Sequence, residues 1–275
     1  MSRILTAPAI GRATAHAVLT GKASDWSLDG TATADRFALA GYTLARVSGP
    51  ARLGMKNGEF SIKADLTGQG GAGSYAAFLG PRPKASAEIA RLKDGRWLFR
   101  RIQATGAGLT VDGSGGRGLL GGLNFKGDVA LTNLAAIREG AKGRLNAKLD
   151  ASQARGGDPW KLAIDGRGAD FASGLAEADR LLGPKPSLVM RGAFGGGALS
   201  VSQANLDGAA VKADAAGTIG PDKLALNIDW SAQGPFRAGP VEIAGAAKVD
   251  DPVRSPGSGL VAFGALPFDA HSAAP

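Results

Sequence analysis

The run Gly113-Ser114-Gly115-Gly116-Arg117-Gly118 has the spacing G-x-G-x-x-G. In dinucleotide-binding proteins that spacing turns a strand into a helix whose N-terminus meets a pyrophosphate. The next residues here are Leu119-Leu120-Gly121-Gly122, poor helix material, so the run reads as a turn. Ser114 has only two histidines in the chain to activate it, His16 in a strand candidate and His271 in an unpatterned tail. Two histidines so placed make neither a triad nor a metal site. Cysteine is absent, which removes disulfides, thiolate metal sites and thiol nucleophiles. Asp250 and Asp251 are adjacent, and neighbours on a strand point to opposite faces, so a turn before Pro252 is the expected role. No catalytic constellation, metal site or cofactor site emerges, and the chain reads as a non-enzyme.

The basic residues hold one further possibility. Formal net charge is +8, with the densest cluster at Arg96, Arg100 and Arg101 around Trp97, Leu98 and Phe99. Nucleic-acid binding calls for a continuous basic groove with several exposed aromatics, and the remaining Lys and Arg sit singly, so no nucleic acid is implied. Trp97 and Phe99 read as lining or core residues. The three arginines suit a rim that meets anionic head groups.

The elements that must position these groups are strands. Phe60, Ile62, Ala64 and Leu66 interleave with Glu59, Ser61, Lys63 and Asp65. Leu145, Ala147, Leu149 and Ala151 interleave with Arg144, Asn146, Lys148 and Asp150, and Leu224, Leu226, Ile228 and Trp230 repeat the pattern. A period of two gives each strand one apolar and one polar face. Strands are expected near 14–20, 34–40, 43–48, 58–67, 84–92, 96–103, 107–112, 122–131, 143–151, 159–166, 187–193, 198–203, 208–215, 222–230 and 240–249. Hairpin turns are expected at Asp29-Gly30, Asn57-Gly58, Asp94-Gly95, Asp112-Gly113, Asp165-Gly166 and Asp207-Gly208. Ser74–Leu79, Thr132–Arg138 and Leu175–Leu182 read as helices of one or two turns. Thr132-Asn133 suits a cap for the second, and Gly183-Pro184 stops the third.

Leu79-Gly80-Pro81-Arg82-Pro83 returns 103 residues later as Leu182-Gly183-Pro184-Lys185-Pro186, each copy after a short helix and before three strands. Self-similarity at a long period points to a solenoid-like array. The 43 glycines are about twice the usual share of roughly 7%. With much of the apolar content in alanine, the greasy face is thin. The expected fold is all-β: an elongated antiparallel sheet curled into an open trough, with a few short helices. The division expected is a partial first repeat over 1–30, trough segments over 31–173 and 174–252, and an irregular tail over 253–275.

The run from Ala178 to Asp250 carries an AD-x-LLG helix, a G-x-x-V-x-A-x-G-x-I strand pair and a closing V-D-D-P turn. LGPRP, LKDGRW and GLLGGLNFKGDVALTNLAAI in the earlier half complete a pattern that resembles the repetitive middle region of the TamB family of AsmA-like, bridge-type lipid transfer proteins. The resemblance covers roughly residues 30–250. It implies a periplasmic protein anchored in the inner membrane, with an apolar groove that conveys phospholipid acyl chains towards the outer membrane. It also implies a TamA-like outer-membrane partner and a part in outer-membrane protein assembly or secretion. The groove lining it suggests, joined to the alternation, is Phe60, Ile62, Leu66, Ile89, Trp97, Phe99, Leu109, Val111, Leu145, Leu149, Leu162, Ile164, Val211, Leu224, Leu226, Ile228, Trp230, Val241 and Ile243. The family's N-terminal anchor and C-terminal partner-binding domain are not evident in the sequence, so the chain reads as a segment. The alternative is a compact all-β binding or scaffold module of a secreted or surface protein, in which the apolar faces pack on each other.

Overall fold

The structure is a computed structural model. It describes the backbone of residues 11–252 except 40, 74, 222, 237 and 238, and side chains to residue 233 except at those positions and at 39 and 223. His271 and the tail beyond Pro252 lie outside the described residues.

Sixteen strands form one sheet. They are β1 (Arg12–Lys22), β2 (Asp25–Leu39), β3 (Tyr42–Lys56), β4 (Glu59–Gln69), β5 (Ala72–Gly73), β6 (Lys84–Arg91), β7 (Trp97–Thr105), β8 (Leu109–Arg117), β9 (Leu123–Leu131), β10 (Lys142–Ser152), β11 (Trp160–Ala172), β12 (Ser187–Gly195), β13 (Ala198–Asp207), β14 (Val211–Ile219), β15 (Lys223–Phe236) and β16 (Gly239–Pro252). Helices among the described residues are limited to α1 (Ala76–Leu79), a 3₁₀ turn at Leu134–Ala136 and α2 (Ala176–Leu182). Apart from the two-residue β5, which pairs with β3, each strand pairs antiparallel with the strand before and after it, from β1 at one edge to β16 at the other. The edges do not meet, so the sheet is an open all-β trough rather than a barrel.

Among the described residues no second sheet and no helical layer covers this sheet; the short helices α1 and α2 lie only across its end. Only Tyr42, Leu44, Ala90, Leu134, Ala141, Ala151, Val201 and Ala232 of these residues are buried and apolar, and no large side chain is fully enclosed. The accessible surface is 18265 Å², against about 11,000 Å² for a compact monomer of this mass. In β10, Leu145, Ala147 and Leu149 are half-buried while Asn146 and Lys148 between them are exposed. With no second layer present, that contrast places the apolar face on the inside of the curl.

The repeat is visible as hydrogen bonding. Gly68 N–H donates to Pro83 O at 2.7 Å, and Gly168 N–H donates to Pro186 O at 2.7 Å. Gly71 N–H reaches Pro81 O as Phe171 N–H reaches Pro184 O, and Ala107 N–H meets Leu79 O as Ala209 N–H meets Leu182 O. Both units therefore fold a strand, a short helix across the sheet's end, and three more strands in the same way. Gly80 (φ 71) and Gly183 (φ 66) end the two helices in the positive-φ region that glycine favours.

Three expected hairpin turns are corrected. Gly30, Gly113 and Gly166 lie inside β2, β8 and β11, so Asp-Gly there does not reverse the chain. A Cβ on Gly30 would stand 2.1 Å from His16 O, and one on Gly113 would stand 2.4 Å from the Phe125 ring. These two glycines admit a close neighbour in a curved sheet rather than a turn. β2 and β3 are accordingly 15 residues each, longer than expected. The Thr132-Asn133 cap is also corrected: the 3₁₀ turn has no side-chain cap, and Asn133 Nδ2 donates instead to Ala77 O at 3.5 Å. β16 continues through Pro252, so no turn precedes that proline.

Candidate functional site

In an antiparallel ladder, residues paired across strands project to the same face. Register therefore lets the apolar face be walked strand by strand. One row runs Leu28, Leu53, Ile62, Ile89, Phe99, Gly115, Phe125, Ala151, Leu162, Gly192, Val201, Gly217, Leu226. A second runs Ala51, Ala64, Ala87, Ile102, Gly113, Gly127, Leu149, Ile164, Met190, Ala204, Ala215, Ile228. A third runs Leu66, Ala85, Ala104, Val111, Val129, Ala147, Gly166, Leu188, Leu206, Ala213, Trp230. None of the three rows contains a charged or hydrogen-bonding side chain, apart from the indole N–H of Trp230.

The sequence-derived positions whose side chains are described fall on this face. Phe60 pairs with Met55, and its ring meets Trp26 at 6.4 Å between centroids. Trp97 is in register with Arg91 and Arg117, and Leu109 and Leu145 both pair with Leu131. Val211 pairs with Ala232, and Leu224 with Ile219. Val241 and Ile243 lie in β16, opposite Gly234 and Ala232, and their side chains lie outside the described residues.

Two bulges hold the face together. β7 shifts register between its pairs Glu88–Arg101 and Ile89–Phe99, which leaves Arg100 as the extra residue. β13 does the same between Arg191–Gln203 and Gly192–Val201, leaving Ser202 extra, with its hydroxyl donating to Arg191 O at 3.1 Å. Strict alternation would put Ile102, Ala204 and Leu206 on the polar side; the bulge returns them to the apolar one. Sequence reasoning missed these residues, although the spacing of apolar positions 97, 99, 102, 104 and 199, 201, 204, 206 carried the signal. It also missed Trp26, Phe125 and Trp160.

The opposite face is an ionic lattice. Lys126 Nζ lies 2.8 Å from Asp150, and Arg191 lies 3.2 Å from Asp165. Asp150 raises the Lys126 pKa by accepting its hydrogen bond, and Arg52 lowers that of Asp29 by donating one. Grooves of about 530 and 640 Å³ open between these long side chains. The expected arginine rim is dispersed. Arg96 pairs with Asp94 at 2.7 Å, Arg100 pairs with Glu59 and lies 3.7 Å from Glu88, and Arg101 lines the polar groove. The cations at the edge of the apolar face are instead Arg91 and Arg117, both exposed, on either side of Trp97 in register.

No protein-family model matches the chain, and neither a curated protein nor a solved structure is significantly similar to it. The functional reading therefore rests on the sheet itself.

The G-x-G-x-x-G run lies in β8 as far as Arg117 and then enters a turn closed by Gly118 N–H to Gly122 O at 2.9 Å. Its strand glycines serve packing, since a Cβ on Gly115 would stand 2.1 Å from Asn124 O and one on Gly116 2.6 Å from Trp97 O. His16 is exposed on β1 and pairs with Thr31 on the polar side. No cluster of metal-ligating side chains occurs among the described residues, and none of their helices is long and apolar enough to cross a membrane.

At the sheet's end, Tyr42 Oη donates to Gly80 O at 2.6 Å, and burial pushes the phenol pKa up. Beneath α2 a cavity of about 310 Å³ opens on the apolar face.

Proposed function

We propose that this chain is a lipid-conducting segment of a TamB-like, bridge-type lipid transfer protein. In this reading the complete protein is anchored in the inner membrane and lies in the periplasm. It carries phospholipid along the trough towards the outer membrane, with a TamA-like partner there and a part in outer-membrane protein assembly and secretion. The observation that carries the reading is the set of three charge-free rows that continue across the ladder from β4 to β15 with no covering layer among the described residues.

A surface of this kind solvates an alkyl chain wherever it lies. Each methylene taken from water gains about 0.8 kcal/mol, and neighbouring strands repeat the same environment about every 4.8 Å. Glycine and alanine in the rows keep the floor low, which leaves room above it. The head group stays in water along the open side, so the chain needs no catalytic group and no cofactor.

Photo-crosslinking residues placed at Ile62, Leu149 and Leu226 test the reading in cells that produce the protein. Phospholipid is expected on these three and absent from crosslinkers at Lys63, Lys148 and Asn227, which face the other way. Equal capture by both sets refutes a lipid-bearing apolar face.

A further inference from the structure

The two units differ at one place on the third row. Matching Gly68 to Gly168 through their bonds to Pro83 and Pro186 aligns β4 with β11 residue for residue. Phe60, Ile62 and Ala64 then correspond to Trp160, Leu162 and Ile164, and Asp65 corresponds to Asp165. Leu66 corresponds to Gly166. The first unit thus has a leucine where the second has no side chain.

The surroundings exaggerate the difference. In the first unit the buried Leu44 and Tyr42 of β3 reach in beside the helix, Leu44 2.8 Å from where a Gly68 Cβ would stand and Tyr42 Oη 2.1 Å from that of Gly71, whereas the matching Gly168 is met by Pro186 at 2.7 Å. In the second unit the cavity of about 310 Å³ opens over Gly166 and Ala147. Its walls include Val129, Leu145, Ile164, Phe171, Leu182 and Leu188. Asn146, Arg167 and Ser187 border it from positions that register turns to the polar face, and no carboxylate lines it.

Gly166 is not a packing glycine. Among the described glycines within strands it alone would hold a Cβ at ordinary contact distance, with Leu188 O nearest at 3.6 Å. The others within strands meet a neighbour at 3.2 Å or less. A side chain fits at Gly166, and its absence leaves space rather than relieving a clash.

We propose that the space over Gly166 is a discrete pocket for one end of an unbranched alkyl chain, held under α2 with its head group outside. This rests on the reading of the apolar face as lipid-bearing and narrows it to one place. Small-molecule pockets begin at about 300 Å³, so the space takes a single chain and not a folded diacyl lipid. The second unit would then hold a chain at a defined station, while the first, plugged by its own side chains, would only let one pass.

The test is calorimetric titration of the full chain with decanoate, dodecanoate and tetradecanoate below their micelle concentrations. Saturable binding at one site per chain is expected, tightening about fourfold for each added methylene until the pocket is full. Gly166→Leu, which copies the first unit's residue, is expected to weaken dodecanoate at least tenfold, with an unchanged circular dichroism spectrum. If that variant does not fold, Ala147→Val fills the same floor and is expected to act in the same direction. Absence of saturable binding, or equal binding by wild type and the folded variant, overturns the pocket. Lipid capture at Ile62, far from Gly166, is measured in the same variant. Capture there alongside unaltered fatty-acid binding removes the pocket and leaves the conduit standing; loss of capture from the wild type removes the conduit.

Discussion

Replacing Gly183 by alanine tests whether the helix-to-strand joint fixes the geometry of a unit. Gly183 has φ 66 and ψ −176, a region essentially confined to glycine, so any other residue costs about 1–3 kcal/mol there. The new Cβ would also stand 2.5 Å from the Ala209 Cβ, an overlap that costs about 1–3 kcal/mol more. Together the loss is about 2–6 kcal/mol. Gly80→Ala has the same backbone problem but a 2.8 Å approach to Ala107, so it should fall lower in that range. Ala209→Gly removes the overlapping methyl in advance. In a double-mutant cycle the backbone cost cancels, and a coupling of about 1–3 kcal/mol between Gly183→Ala and Ala209→Gly is expected. Urea unfolding followed by far-ultraviolet circular dichroism reads all four chains. A Gly183→Ala loss under about 1 kcal/mol, or no coupling with Ala209→Gly, refutes the joint as described.

Two further substitutions probe the ends of the sheet. Tyr42→Phe strips the donor from the buried Gly80 O and is expected to lower the urea stability by about 1–3 kcal/mol. Asp179 is held below the usual carboxylate range by hydrogen bonds from Ser173, so its contribution is complete above its unfolded pKa of about 3.9 and disappears as pH falls through the lower folded value. The urea midpoint should therefore drop as pH falls below about 4, and Asp179→Asn should flatten that drop.

Much of this fold was legible because a period of two is a strong signal. The alternation around Phe60, Leu145 and Leu224 predicted both the strands and the shared face of their apolar residues, and the LGPRP echo located the two joints. What failed was the reading of Asp-Gly. At Asn57-Gly58 and Asp94-Gly95 the pair does reverse the chain, but at Asp29-Gly30, Asp112-Gly113 and Asp165-Gly166 it sits inside a strand. The dipeptide is of the same kind in both settings, and only the partner strand's approach separates them. The bulges at Arg100 and Ser202 were hidden for a related reason: each adds a residue without changing composition, and only the slip in apolar spacing betrays it. The cavity over Gly166 was the least legible feature, since a gap is defined by neighbours on several other strands.

The strand order has a consequence for size. Because each strand of the ladder is hydrogen-bonded only to the strands beside it in the order, no backbone pairing ties one end of the sheet to the other. One unit, from β4 to the strand before β11, contributes β4 and β6 to β10, which at about 4.8 Å each is roughly 29 Å of sheet. An in-frame duplication or loss of such a unit would lengthen or shorten the trough by that step and leave every remaining pairing as it was. Length is then a quantity that gene duplication can set in increments of one unit.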